Sequence, residues 1–97
     1  MKTSELTGAA LDWAVARCEG VIYHGPAWTK YSTDWAQGGP IIEREELSSL
    51  KCYSTNEWGC LNGEIFCEGP TPLIAAMKCY VTSKLGDEVE IPEEITP

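Results

Sequence analysis

Catalysis and metal binding both begin with a small set of side chains, and this 97-residue sequence supplies few of them. Its single histidine, His24, is the only side chain whose ordinary pKa lies near neutrality, and so the natural choice for a general base. Nothing in the sequence completes such a site. No serine or cysteine sits in a nucleophile motif, and no G-x-x-x-x-G-K-[ST] loop is present to cradle a phosphate. Glu43 and Glu45 form a carboxylate pair of the kind commonplace on a solvated strand face. The cysteines, Cys18, Cys52, Cys60, Cys67 and Cys79, include no C-x2-C pair that would let one turn present two thiolates to zinc. Odd in number and set within ordinary apolar patterns, they read as reduced, buried thiols rather than a disulfide framework. The expectation is a protein that is not an enzyme and needs neither cofactor nor metal.

Binding chemistry is better represented, in one stretch. Between Tyr31 and Arg44 the sequence combines an aromatic face (Trp35), a two-way amide (Gln37), glycines that let a ligand approach the backbone (Gly38, Gly39) and a guanidinium fork (Arg44). Asp34 adds an acceptor suited to a sugar hydroxyl. Tyr31, Asp34, Trp35, Gln37, Gly38, Gly39 and Arg44 are therefore expected to bind a small polar, nucleotide-like ligand. A purely structural reading stands beside this one: Ser32-Thr33-Asp34 caps a helical turn, and Gly38-Gly39-Pro40 bends the chain into a strand.

Charge narrows the partners. Seven basic against 15 acidic residues give a net charge of −8, which disfavours direct binding of nucleic acid or of an anionic membrane. No apolar run approaches the roughly 20 residues that span a bilayer, and Met1 to Glu5 leads into an amphipathic segment rather than a signal-peptide core, so a cytoplasmic protein is expected. The same acidity supports a second kind of binder, an interaction module that docks on another protein. Trp13, Trp28, Trp35 and Trp58 exceed the aromatic area that a core of this size usually accommodates, which points to a binding surface or a homo-oligomeric contact.

The elements that must position these residues follow from periodicity. A chain of this length is read as one α+β domain over 1–97. Leu11, Ala14, Val15 and Cys18 predict a helix over 7–19 with Thr7 as N-cap and Gly20 as stop, and place Trp13 and Arg17 one turn apart off that stripe, to flank the core or to stack in a cation–π contact. Val21-Ile22-Tyr23 predicts a short strand, 24–40 a long ordered loop, and 40–45 another short strand. A three-stranded antiparallel meander is expected over 50–54, 57–61 and 64–68, with a type I′ turn at Asn62-Gly63 and with Trp58, Cys60, Ile65 and Cys67 facing the core. Thr71, Pro72 and Gly86 delimit a last helix over 71–85 whose buried stripe is Ile74, Met77, Val81 and Leu85. The two helices should pack on the sheet. Residues 87–97 form an acidic tail, in which Val89 and Ile91 leave room for a short edge strand.

Three stretches, Lys2 to Ala16 (KTSELTGAALDWAVA), Tyr31 to Glu45 (YSTDWAQGGPIIERE) and Gly69 to Met77 (GPTPLIAAM), together resemble the NinX-like family of small proteins of lambdoid phages and prophages. The resemblance implies expression in the cytoplasm of an infected or lysogenic bacterium and carries over no catalytic residues. In that setting a ligand-binding loop implies a counter-defence protein that sequesters a nucleotide-derived host signal, with a pocket shared between subunits. The other implied use is docking on a host or phage protein.

Overall fold

A computed structural model describes residues 1–51, 57–93 and 95. Three α-helices and an antiparallel sheet make one compact α+β unit, with helices α1 (Gly8–Glu19), α2 (Trp35–Glu45) and α3 (Pro72–Leu85). The strands are β1 (Ser48–Lys51), β2 (Trp58–Asn62) and β3 (Ile65–Gly69), in the order β1-β2-β3.

The last helix is the centre of the molecule. Thr71 accepts the Ile74 N–H at 3.1 Å and Pro72 occupies the first turn, where its missing N–H has no helical partner to lose. Sequence periodicity marks one buried stripe, but burial runs continuously from Ala75 to Val81, and Ile74 and Leu85 are the half-covered positions. A helix apolar on all sides is one surrounded by protein. Here α1, α2 and all three strands pack on it, with Ala75 and Ala76 giving the close approach. Even Lys78 is only 7% exposed, its stem buried and its Nζ donating to the Ser4 carbonyl at 3.0 Å.

Helix α1 begins one residue after Thr7, whose side chain makes no cap bond, and ends on Gly20 in the left-handed region at φ 71°. Leu11, Val15, Met77 and Val81 are fully buried as expected, whereas Trp58, Ile65 and Ile74 lie at the margin of the core. The β2–β3 hairpin pairs Cys60 with Cys67 and Asn62 with Ile65. Its turn is one residue later than predicted: Gly63 alone has positive φ, at 66°, and Gly63-Glu64 are the central residues, the pattern of a type II′ turn rather than type I′. The strand expected over 50–54 is described over 48–51, paired Ser48 to Leu61, so the predicted meander is not confirmed in its register. Residues 52–54 and the Thr55-Asn56 pair lie outside the described residues.

Two predicted short strands are corrected. Residues 21–23 form no strand and pair with nothing in the sheet among the described residues, and Val21 and Ile22 are exposed. Residues 40–45 are helical, the second half of α2. Pro40 inside a helix removes one backbone bond, and glycines are poor helix formers, so the local signal for a break is real. It is overridden because α2 packs across α3 at Gly38. A Cβ built there would stand 2.4 Å from the Tyr31 carbonyl oxygen and 2.6 Å from Leu73 Cδ1, so only glycine fits. Ile41, 2% exposed, anchors the next turn. At the other end of the chain the acidic segment is tied down by an isolated antiparallel bridge between Lys2 and Glu88, with Thr3 N–H donating to Asp87 at 2.7 Å and Val89 N–H to Met1 at 2.9 Å.

Candidate functional site

Residues 21–34 connect α1 to α2 without regular structure, and side chains hold them in shape. Gly25, at φ 92°, closes a turn in which the Trp28 and Thr29 N–H groups reach its carbonyl at 3.2 and 2.9 Å. A second turn brings the Thr33 and Asp34 N–H groups to the Lys30 carbonyl. The buried Asp12 carboxylate of α1 accepts the Ser32 N–H at 2.8 Å. Burial raises the pKa of Asp12, and the hydrogen bond from the Ser32 N–H partly offsets that. His24 is exposed, and its backbone N–H donates to Thr29 Oγ1 at 3.0 Å.

The predicted ligand-binding residues fall into three groups once placed. Asp34, Gln37 and Gly38 organise the chain itself. Asp34 is the N-cap of α2, its Oδ1 accepting the Ala36 N–H at 2.9 Å. The Gln37 amide is used in both directions, its Oε1 accepting the Lys30 N–H at 2.8 Å and its Nε2 donating to the Trp28 carbonyl at 2.9 Å. Gly38 is buried at the α2–α3 crossing.

Arg44 lies at the opposite end of α2, so the helix separates it from the Asp34 cap. Its fork grips Glu19 of α1 through Nη1–Oε1 at 3.0 Å and Nη2–Oε2 at 2.6 Å, its Nε reaches Glu45 at 3.0 Å, and Nη2 donates to Tyr80 Oη at 3.1 Å. Tyr80 in turn donates to Glu19, and Lys84 adds an ion pair to Glu45 at 3.6 Å. The Arg44 hydrogen bond pulls the Glu19 carboxyl below its ordinary range against the opposing effect of burial, and burial pushes the Tyr80 phenol up. Sequence inspection marks Arg44 as a free cation but carries no signal for Glu19, 25 residues away, as its partner.

Tyr31, Trp35 and Gly39 remain. Tyr31 packs half-buried against the core and Gly39 lies beside Trp35, which is 55% exposed. Trp35, Ser32, Thr33, Thr71, Leu73 and Ile74 line a cleft of about 170 Å³. The more exposed aromatic is Trp28, at 77%, on the turn that Gln37 staples to α2. Ile22, at 76%, borders a larger cavity of about 520 Å³ with Trp13, Tyr23, Gly25, Pro92 and Ile95, where Arg17 stacks over Trp13 at 5.7 Å as the sequence predicts. Neither Trp28 nor Ile22 is among the seven residues expected to bind a ligand; Trp28 is one of the four tryptophans whose aromatic area exceeds the needs of the core, and Ile22 is signalled only as a large apolar residue beside polar and turn-forming neighbours.

Among the described residues no helix is long and apolar enough to cross a membrane, and no cluster of His, Cys, Asp or Glu has metal-holding geometry. Cys18, Cys60, Cys67 and Cys79 are free thiols, and Cys52 lies outside the described residues. No curated protein matches the chain significantly. The family model described as bacteriophage P22, NinX spans residues 2–84, taking in α1, the 21–34 connection, α2, the strands and nearly all of α3, and the chain belongs to that family.

Proposed function

We propose that this phage protein acts by binding rather than catalysis, and that it docks on another protein through the surface that carries Ile22, Trp28 and Trp35. The observation that carries this reading is the exposure of Trp28 on an ordered turn: 77% of a tryptophan is left in water while Gln37 and Thr29 hold the backbone beneath it. Pre-ordered exposed aromatics are the residues from which interface hot spots are built. Flanked by the cavity at Ile22, this surface offers both a protruding anchor and a recess for a partner's apolar side chain. The net charge of −8 selects a partner whose rim is basic. Modulation of a host or phage protein is the use that fits a phage accessory protein.

The alternative, capture of a nucleotide-like ligand in a counter-defence role, has less support. Asp34, Gln37 and Arg44 are engaged internally, and the cleft at Trp35 holds about 170 Å³ against the roughly 300–1,000 Å³ of ordinary small-molecule sites. At that cleft, only a pocket completed by a second subunit would rescue it.

The test is retention of a stoichiometric partner by immobilised protein in lysate from infected cells, compared across two surfaces. Trp28→Ser with Trp35→Ser should lose the partner while Leu61→Ser, on the exposed face of β2, keeps it, and both variants should keep their thermal midpoint within a few degrees. Equal retention by the double tryptophan variant, or partner loss tracking a large fall in midpoint, would refute the docking surface.

A further inference from the structure

A second feature, independent of the tryptophan surface, lies at the free edge of the sheet. Strand β3 ends the order β1-β2-β3, so among the described residues one side of it has no neighbouring strand. In a hairpin closed by two residues the closing pair, Asn62 with Ile65, exchanges hydrogen bonds, and the alternation continues along the strand. Ile65, Cys67 and Gly69 therefore spend their backbone groups on β2, and the N–H and C=O of Phe66 point out of the sheet. No backbone partner for Phe66 beyond β2 occurs among the described residues.

Most proteins blunt such an edge with charge or cover it. Here the edge opens into a groove of about 630 Å³ instead, with Glu64, Phe66 and Cys67 on one side and Lys2, Asp87 and Glu88 on the other. The far wall is itself extended backbone, fixed by the Lys2–Glu88 bridge and by the Thr3 hydroxyl bonded to the Gly86 carbonyl at 2.7 Å. The groove follows Glu64 to Cys67, about 13 Å of strand at 3.3 Å per residue, a length that suits an extended segment of about four residues. Phe66, 47% exposed, offers its ring to a cross-strand neighbour. Three carboxylates against one lysine make the rim acidic, as is the whole chain.

We propose that the β3 edge is a strand-addition site for an extended peptide segment of a partner protein, one that alternates basic with apolar residues. Main-chain bonds to Phe66 supply the register, the ring of Phe66 takes an apolar side chain, and Glu64, Asp87 and Glu88 receive the basic ones. A second copy of this chain is a poor occupant, because its own edge would bring the same carboxylates against these.

The test uses a fluorescein-labelled octapeptide alternating lysine and valine, titrated against the full chain by anisotropy. Saturable binding is expected, weakened about tenfold when alternate backbone nitrogens of the peptide are methylated, a loss equivalent to one or two hydrogen bonds. Phe66→Pro, which removes the outward N–H of an edge strand, should weaken binding similarly. Should that variant fail to fold, Glu64→Lys with Glu88→Lys changes only exposed residues and should abolish binding. Trp28→Ser with Trp35→Ser should bind the peptide as the parent does, so this site and the tryptophan surface fail separately. The proposal is overturned if there is no saturable binding, if the methylated or glutamate-for-lysine peptide binds equally well, or if a dimer of the chain competes with the peptide.

Discussion

Gly38 and Gly39 are adjacent in α2, yet adding a methyl group to each should move stability in different directions. A Cβ at Gly38 would sit 2.4 Å from the Tyr31 carbonyl oxygen and 2.6 Å from Leu73 Cδ1, more than an ångström inside ordinary contact. The first neighbour is backbone and the second belongs to a side chain 2% exposed, so neither yields cheaply. Overpacking of this kind costs about 1–3 kcal/mol, and the helix preference of alanine over glycine returns about 1 kcal/mol at most. With one neighbour backbone and the other fully packed, the cost falls at the upper end of that range, so Gly38→Ala should lose about 2 kcal/mol, a fall of about 8–16 °C in the midpoint of a domain this size. At Gly39 the nearest atom to an added Cβ is Trp35 Cε3 at 3.9 Å, an ordinary contact. Gly39→Ala should fall between no change and a gain of about 1 kcal/mol, reduced because a residue before proline resists the helical conformation. Thermal unfolding followed by circular dichroism at 222 nm reads both. A Gly38→Ala variant as stable as the parent would refute the α2–α3 crossing and return residues 38–40 to a bend.

Arg44→Ala leaves Glu19, 17% exposed, with Tyr80 as its remaining hydrogen-bond partner, and should lower the midpoint of urea unfolding; Arg44→Lys should recover only part, since lysine has no fork. Because the folded Glu19 pKa lies below its ordinary 4.5, its contribution is fully present above that value and is lost as pH falls through the lower folded pKa. Asp12 acts in the opposite sense, since burial raises its pKa and protonation relieves a penalty. Glu19→Gln should therefore flatten the acid limb of a stability–pH curve, and an unchanged limb would exclude the network. Gln37→Leu deletes two hydrogen bonds to the Lys30 N–H and Trp28 carbonyl, worth about 1–3 kcal/mol together, and should speed hydrogen exchange at the Lys30 amide; slow exchange there would show that the staple is dispensable.

Elements specified by neighbours in sequence were legible. Thr71-Pro72 opens α3 and Gly20 closes α1 because caps are local chemistry, and glycine at position 63 announces the hairpin even though the turn type shifted. Helix α2 was not legible, because Gly38-Gly39-Pro40 carries the composition of a bend and the reason for Gly38 lies across the molecule at Leu73. The same blindness applies to the site. Asp34, Gln37 and Arg44 have the side chains of a ligand pocket, but whether an amide or guanidinium is free depends on partners such as the Trp28 carbonyl and Glu19, which folding alone brings near. The structural reading of Ser32-Thr33-Asp34 as a cap was the accurate one for Asp34.

The helix on which everything packs is synthesised after the elements that pack on it. When residue 71 leaves the ribosome, α1, α2 and the hairpin have all emerged, each with its apolar face turned toward a helix that does not yet exist. At about 5–20 residues per second α3 follows within seconds, so the nascent chain spends that interval with Leu11, Val15, Ile41 and Cys60 exposed to chaperones and to its neighbours on the polysome. A stop codon just before α3 would leave two helices and a hairpin with no core between them, so such truncated products should be cleared by proteolysis rather than persist as partial inhibitors.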